Sequence, residues 1–238
     1  MPDKNLLDYT IWEAGQTGSI GVFSQYGTRN RRVWAADPWG RQAVVWECWS
    51  VGVASQSGGI YVTPMAVDRT KMYRYAFWEN RVVRGAASYP MYYLGLNGYG
   101  STNGVYLRDT GGLSTNPYFW YIYSTSIPQN VWFLVVGHIW PAGSGIGDEH
   151  SDSGRWYTSG AKWGNITRDH VFHETTTTCR PRTLAMYHSE TDGILHRTVY
   201  PRVDLCDGTE PTLAQLLKGW DSRLRRSRPM PSAYSFGA

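Results

Sequence analysis

The chain has 238 residues, rich in aromatics (12 Trp, 17 Tyr) and punctuated by 26 Gly and 12 Pro; it carries a formal net charge of +4 and three cysteines. Many short aromatic segments broken by Gly and Pro favour one all-β sandwich or barrel with functional loops. Four positive charges sit in one C-terminal run, Arg223, Arg225, Arg226 and Arg228, so the body is near neutral and nucleic acid is excluded as its partner. Cys48, Cys179 and Cys206 are too few for a disulfide scaffold and fit buried thiols of a reducing compartment.

The N-terminal MPDKNLLDYT lacks the apolar core of a secretory signal, and no stretch of about 18 apolar residues is present, so membrane insertion is not expected. Residues 12–27 read as Gly-spaced loop and short strand, and 30–34 as a second strand. Asp37-Pro38-Trp39-Gly40 is a turn, with Pro at the second position and Gly at the fourth. Trp39, at its third position, is expected to be displayed. A strand over 41–49 follows, placing Gln42, Val44, Trp46 and Cys48 on one face.

After a polar turn at 68–71, Tyr73, Tyr75 and Phe77 alternate with Met72, Arg74, Ala76 and Trp78. Period two is the strand signature, and neither face is plainly polar, so this strand is expected at the centre of a sandwich, covered on both sides. GGIYVTPMAV before it and MYYLGLNGYG after it are expected to be its neighbours. Residues 97–117, rich in Gly and Asn, predict two hairpin turns around a short strand at 105–108. Residues 118–123 are aromatic throughout, and 131–140 (VWFLVVGHIW), bounded by Pro128 and Pro141, predict a fully buried strand.

Residues 141–178 form a long irregular stretch. Its Trp156, Tyr157 and Trp163 argue for an ordered functional loop rather than disorder. Residues 182–189 and 194–205 predict a hairpin across Glu190-Thr191-Asp192-Gly193. A helix is expected over 211–224, with Leu213, Leu216, Leu217, Trp220 and Leu224 on one stripe and Pro211 in the first turn. The expected division is a domain over 1–218 followed by helix end and basic tail over 219–238. The apolar stripe, needing cover, predicts a homo-oligomer, a trimer first, or anchoring in a larger particle.

This succession, with NRRVW, DPWGRQAVVWE, VDRTKMYRYAFW, a YYLGL strand, NPYF and the terminal PRVDLCDGTEPTLAQLL, resembles carbohydrate-binding-module-like, galactose-binding-like jelly rolls. The version it resembles is found in bacteriophage tail-fibre, head-fibre and gene-transfer-agent spike proteins. The resemblance covers roughly residues 12–217 and departs at 141–178. It implies an all-β jelly-roll β-sandwich with one C-terminal amphipathic helix, and non-catalytic glycan binding on a virion. It also implies a structural calcium in some members, placed near Asp204 and Asp207.

An indole offers a flat platform to the C–H face of a sugar, so Trp39, Trp140, Trp156 and Trp163, at turns or in loops, are candidate carbohydrate-binding residues. The alternative is that they brace the loops. Asp152 and Arg155 are candidate partners for sugar hydroxyls, and residues 148–154 carry oxygen donors suited to calcium or simply to water. His170 and His173 with Cys179 and Cys206 form a candidate zinc set without a CxxC or HExxH pattern. Glu47, Glu79, Glu149 and Glu174 are candidate acids for a glycosidase, but GxSxG, P-loop and dinucleotide motifs are lacking. The expectation is a non-enzymatic adhesin of a phage-type virion, in a head or tail fibre or as decoration, that binds host cell-surface polysaccharide alongside other virion proteins. It would assemble in the host cytoplasm and need no cofactor beyond that calcium. A structural cement protein and a polysaccharide lyase or glycosidase are the rivals.

Overall fold

A computed structural model of the chain describes residues 5–50, 58–83, 91–96, 104–114, 117–123, 127–186 and 194–219. The strands are β1 (Phe23–Gln25), β2 (Asn30–Ala36), β3 (Gln42–Ser50), β4 (Gly58–Val62), β5 (Met65–Ala66), β6 (Tyr73–Val83), β7 (Met91–Leu96), β8 (Val105–Leu107) and β9 (Leu113–Ser114). They continue with β10 (Tyr118–Tyr123), β11 (Trp132–Trp140), β12 (Gly154–Trp156), β13 (Lys162–Gly164), β14 (His170–Phe172), β15 (Thr178–Cys179), β16 (Pro181–Met186) and β17 (Ile194–Leu205), and a short helix α1 (Leu213–Leu217) follows. A smaller sheet has the order β1-β4-β16-β7-β10. The larger has β2-β3-β17-β6-β11-β14-β8-β9, with β12 and β13 attached to β11. The two pack as an all-β sandwich of the jelly-roll kind.

β6 is central, as its alternation predicts. It pairs with β17 on one side and β11 on the other, and Tyr73 to Arg81 are buried throughout. Its sequence neighbours are not its partners, however: β4 and β7 belong to the smaller sheet. The predicted hairpin at 182–205 fails in the same way, since β16 lies in one sheet and β17 in the other; its turn at 190–193 lies outside the described residues. The cause is common to both. In a two-layer sandwich the chain repeatedly changes sheet, so adjacent segments end in opposite layers.

Inside the sandwich, Tyr75 lies 5.3 Å from the ring of Phe119 on β10, and Tyr73 meets the edge of Phe172 at 5.7 Å. Gly137 on β11 pairs with Tyr75. A Cβ at position 137 would stand 2.3 Å from Phe119 Cδ1, so only glycine lets the two layers close there.

The opposite face of β6 presents Arg74, Ala76 and Trp78. Arg74 and Arg202 both donate to Asp204, each with an Nη2–carboxylate contact of 2.8 Å, and all three are buried. Arg74 also donates to the carbonyl of Pro211 at 2.6 Å, which ties the segment after β17 back to the sheet. A bulge at Tyr200 (φ 52°) and Pro201 breaks the β17–β6 register, a position where a strand tolerates proline.

Within the described residues α1 is shorter than predicted. Thr212 is its N-cap, in a capping box with Gln215, so Pro211 precedes the cap instead of occupying the first turn. Leu216 and Leu217 are buried in the sandwich's own core and Leu213 packs against it. That part of the stripe therefore needs no partner chain, while Trp220 and Leu224 lie outside the described residues. No helix among the described residues is long and apolar enough to cross a membrane.

Candidate functional site

Residues 141–178 are more regular than the sequence suggests. They contribute the β12–β13 hairpin, β14 and β15. The hairpin docks on β11, pairing Leu134 with Trp156 and Val135 with Arg155. Trp156 donates its indole N–H to the carbonyl of Asp152 at 3.0 Å, and Lys162 Nζ lies 5.2 Å from the ring centre. Trp163 abuts Phe133 at 5.1 Å and Trp120 at 6.0 Å, edge to face. The guanidinium of Arg155 sits 4.2 Å over Trp163 while its Nε donates to Asn165 O; burial lowers its pKa.

Arg108 covers Trp140 at 4.3 Å and donates to the carbonyls of Ser144 and Gly145, strapping the 141–148 loop over that ring. Trp39 departs furthest from expectation. The predicted turn forms, with Gly40 N–H donating to Asp37 O, but the indole folds back. It stacks near Tyr200 (5.9 Å, 26°), meets Trp78 edge-on, lies under Arg41 and donates to Leu217 O at the end of α1. Turn geometry fixes the backbone but not where a large side chain goes, and a half-covered indole gains more from the nearby apolar cluster than from water. Each of the four indoles thus has a cation over one face and packs on its own protein. Trp156 borders a groove, of about 340 Å³, between the hairpin and α1.

A second cluster arises where β11 changes partner. One edge of β11 pairs with β12 up to Val136 and with β14 from Ile139. Asp169 fills the fork. It accepts from the backbone N–H of His138 at 2.7 Å and of His150 at 2.8 Å, and from Ser153 Oγ at 2.8 and 2.9 Å. His138 Nδ1 lies 2.7 Å from Ser153 Oγ, and its ring stacks on His150 at 3.9 Å. Ser, His and Asp therefore meet, but in the wrong order for nucleophilic catalysis. The serine proton goes directly to the acid rather than to the histidine, and Ser153, His138 and Asp169 are all buried. The cluster seals the fork.

Glu149 accepts the backbone N–H of Asp169. Burial first, then repulsion from Asp169 and Asp109, raises its pKa from 4.5 to about 7, and burial raises that of Asp169. His138 and His170 move the other way through burial, His170 to about 3. The signs follow from which state binds more protons. Folded Glu149 keeps a proton that the unfolded chain has lost, so its contribution is present below pH 4.5 and fades as pH rises to about 7. The histidines favour folding above pH 6.5 and oppose it below. Glu149→Gln, which mimics the protonated form, is expected to match the parent at pH 5 and exceed it at pH 8 by about 1 kcal/mol in urea unfolding. This figure is well discounted for partial exposure.

The outer face of the smaller sheet carries a set of aromatics that the sequence reading did not single out. Register places Ser24, Tyr61, Arg182, Gly95 and Tyr118 in one row across the strands, and Gly59, Leu184, Tyr93 and Tyr121 in the next. Phe23, Ile60, Leu94 and Trp120 point inward to the core. Tyr93 and Leu184 instead form a separate cluster with Tyr26, Tyr61 and Tyr118. The rings interlock: Tyr93 on Tyr118 at 4.6 Å, Tyr26 edge-on to Tyr61 at 5.1 Å, and Tyr121 edge-on to Tyr118 at 6.4 Å. Arg180 lies 4.5 Å over Tyr61, and Arg182 lies 4.6 Å over Tyr118. Tyr121 is 45% exposed and Tyr61 and Tyr118 are half-buried, whereas Tyr93, Leu184 and Arg182 on the same face are buried. From β4 to β10 the row spans three strand spacings, about 14 Å. Tyr118 and Tyr121, three residues apart, share this face only because a bulge shifts the β10–β7 register between Tyr118 and Trp120, so period-two reading could not have found it.

Asp204 is committed to two arginines, and Asp207 accepts from Thr209 N–H in a local turn. His170 is buried in β14 against Phe119, while His173 turns to Thr175. Among the described residues no three His, Cys, Asp or Glu side chains gather around a point fit for a metal. Of the candidate acids, Glu47 is held by Arg31 and Arg197, and Glu79 accepts from Thr183 and Thr198. Glu174 is exposed beside Tyr106.

No protein-family model matches the chain. No curated protein matches it either. Among solved structures it superimposes on an exo-beta-agarase with a TM-score of 0.50 and 11% identity, over 90% of this chain and 26% of that one. A bacteriophage CBA120 tailspike protein 4 enzymatically active domain gives 0.38 and 10%, over 81% and 20%. The CBM22-1 xylan-binding domain from Paenibacillus barcinonensis Xyn10C gives 0.31 and 10%, over 84% and 99%. The agarase likeness is one of fold, and the chain spans about a quarter of that protein's length; the two weaker superpositions carry no weight.

Proposed function

We propose that this protein is a non-catalytic carbohydrate-binding domain that holds a host cell-surface polysaccharide on the tyrosine face of its smaller sheet. The observation that carries the reading is the patch of Tyr61, Tyr118 and Tyr121, in two adjacent rows on the side of the sheet turned away from the main core. Phenol rings offer stacking faces to sugar C–H groups, their hydroxyls both donate and accept, and Arg180 adds donors. Stacking with one or two charge-assisted hydrogen bonds gives on the order of 4–6 kcal/mol, a micromolar-to-millimolar site. So weak a site becomes useful in an array. That need, with the resemblance of VDRTKMYRYAFW and its neighbours to fibre and spike modules, supports a phage-type virion adhesin working as a homo-oligomer, a trimer first, among other virion proteins.

A glycosidase or lyase reading has one observation in its favour, the Glu149 carboxyl that stays protonated near neutrality. Its neighbour Asp169 is wholly buried and saturated by donors, and the exposed carboxylate nearby, Asp109, is paired with Arg168 at 3.4 Å, so neither stands free as the second acid of a pair. A glycan array with the purified chain, followed by a reducing-end assay on each hit, tests the proposal. Binding without new reducing ends is expected. Depolymerisation lost on Glu149→Gln would favour the enzyme, and an empty array the structural cement protein.

A further inference from the structure

The five strands of the smaller sheet contain no Asp, Glu or Lys. Their one charged side chain is Arg182, and Arg180 stands immediately before β16. The carboxylates among the described residues all lie outside these strands. We propose that the ligand of the tyrosine face is an anionic polysaccharide, one bearing carboxylate or sulfate groups; this rests on the glycan reading above and names its chemical class.

The argument is one of complementarity. The Arg180 guanidinium lies over Tyr61 and spends its Nε on the carbonyl of Val62 at 3.0 Å. It takes part in none of the described ion pairs. A guanidinium laid flat on a ring keeps its in-plane N–H donors directed sideways, the geometry that a carboxylate or sulfate accepts in bidentate fashion. Arg182, in register with Tyr61 on the adjacent strand, is only 4% exposed, so it adds positive potential beneath the row and leaves Arg180 as the guanidinium that meets the ligand. A neutral glycan offers hydroxyls that need acceptors as well as donors. On these strands the outward side chains supply hydroxyls and no carboxylate, and Arg180 beside them supplies a cation, so an acidic group is best brought by the ligand. Tyrosine stacking then holds the ring, and Arg180 selects its charge.

The test is titration calorimetry of the full chain against polygalacturonate (carboxylate only), dextran sulfate (sulfate only) and plain dextran, at 50 and 300 mM NaCl. The parent is compared with Arg180→Gln and Tyr121→Ala, both accessible positions. At least one anionic polymer is expected to bind and dextran not. Binding should fall several-fold at the higher salt, about tenfold on Arg180→Gln, and on Tyr121→Ala at both salt concentrations. Whether polygalacturonate, dextran sulfate or both bind identifies the anion. If dextran binds as tightly as either, loses affinity on Tyr121→Ala and is indifferent to Arg180→Gln, the tyrosine face stands and its anionic specificity is overturned. If no polymer here or on the array binds, the glycan reading falls too. Anion binding untouched by both substitutions would place the anion elsewhere, with the Arg223–Arg228 run the first suspect, and would equally overturn the proposal.

Discussion

Asp204→Ala is expected to destabilise the fold by about 3–5 kcal/mol, a large share of the stability of an ordinary domain. Asp204 is 0% exposed and is the shared partner of Arg74 and Arg202, themselves 3% exposed. Removing it leaves two guanidinium groups side by side away from water, without a counter-charge between them. The cost comes less from the lost attraction than from that uncompensated burial. Arg74 also holds Pro211 O, so the seat of α1 on the sheet should loosen at the same time. Urea denaturation followed by tryptophan fluorescence reads the effect. A variant with an unchanged midpoint would mean that water reaches the cluster.

Gly137→Ala is the second large effect expected, about 1–3 kcal/mol or more. The added methyl would meet Phe119 at 2.3–2.9 Å from three ring atoms. That ring has little room to retreat, being fully buried between Tyr75 and His170. The two sheets must then separate locally or the ring must leave its rotamer. The same urea experiment measures it, and Phe119→Leu combined with Gly137→Ala should recover part of the loss by making space.

Much of the fold was legible because period-two alternation is a local property. It identified β6 as central and β11 as buried from their own residues. What alternation does not carry is which sheet a strand joins. β4, β7 and β16 read as neighbours of the strands next to them in sequence, whereas they crossed to the other layer. The site was harder to read for a related reason. Trp39, Trp140, Trp156 and Trp163 read as turn and loop residues, and exposure was inferred from that position, whereas the last three belong to β11, β12 and β13. Each indole finds a guanidinium or ammonium at 4.2–5.2 Å, and Trp39, Trp156 and Trp163 also pack against the apolar core. Tyr61, Tyr118 and Tyr121 sit in segments whose two faces the sequence does not tell apart. They acquire an outer face only once Phe23, Ile60, Leu94 and Trp120 are known to point the other way.

The central claim, that ligand is held by the tyrosine face and not by the loop indoles, is tested most directly by one paired measurement. Affinity for a glycan retained on the array, together with thermal midpoint, is determined for Tyr61→Ala/Tyr121→Ala and for Trp156→Ala/Trp163→Ala. The tyrosine pair should lose tenfold or more in affinity while its midpoint stays within a few degrees of the parent. The tryptophan pair should lose stability, through the contacts of Trp163 with Phe133 and Trp120, and keep its affinity. A stable tryptophan pair that no longer binds, beside a tyrosine pair that binds like the parent, would contradict the account and return the site to the β12–β13 hairpin.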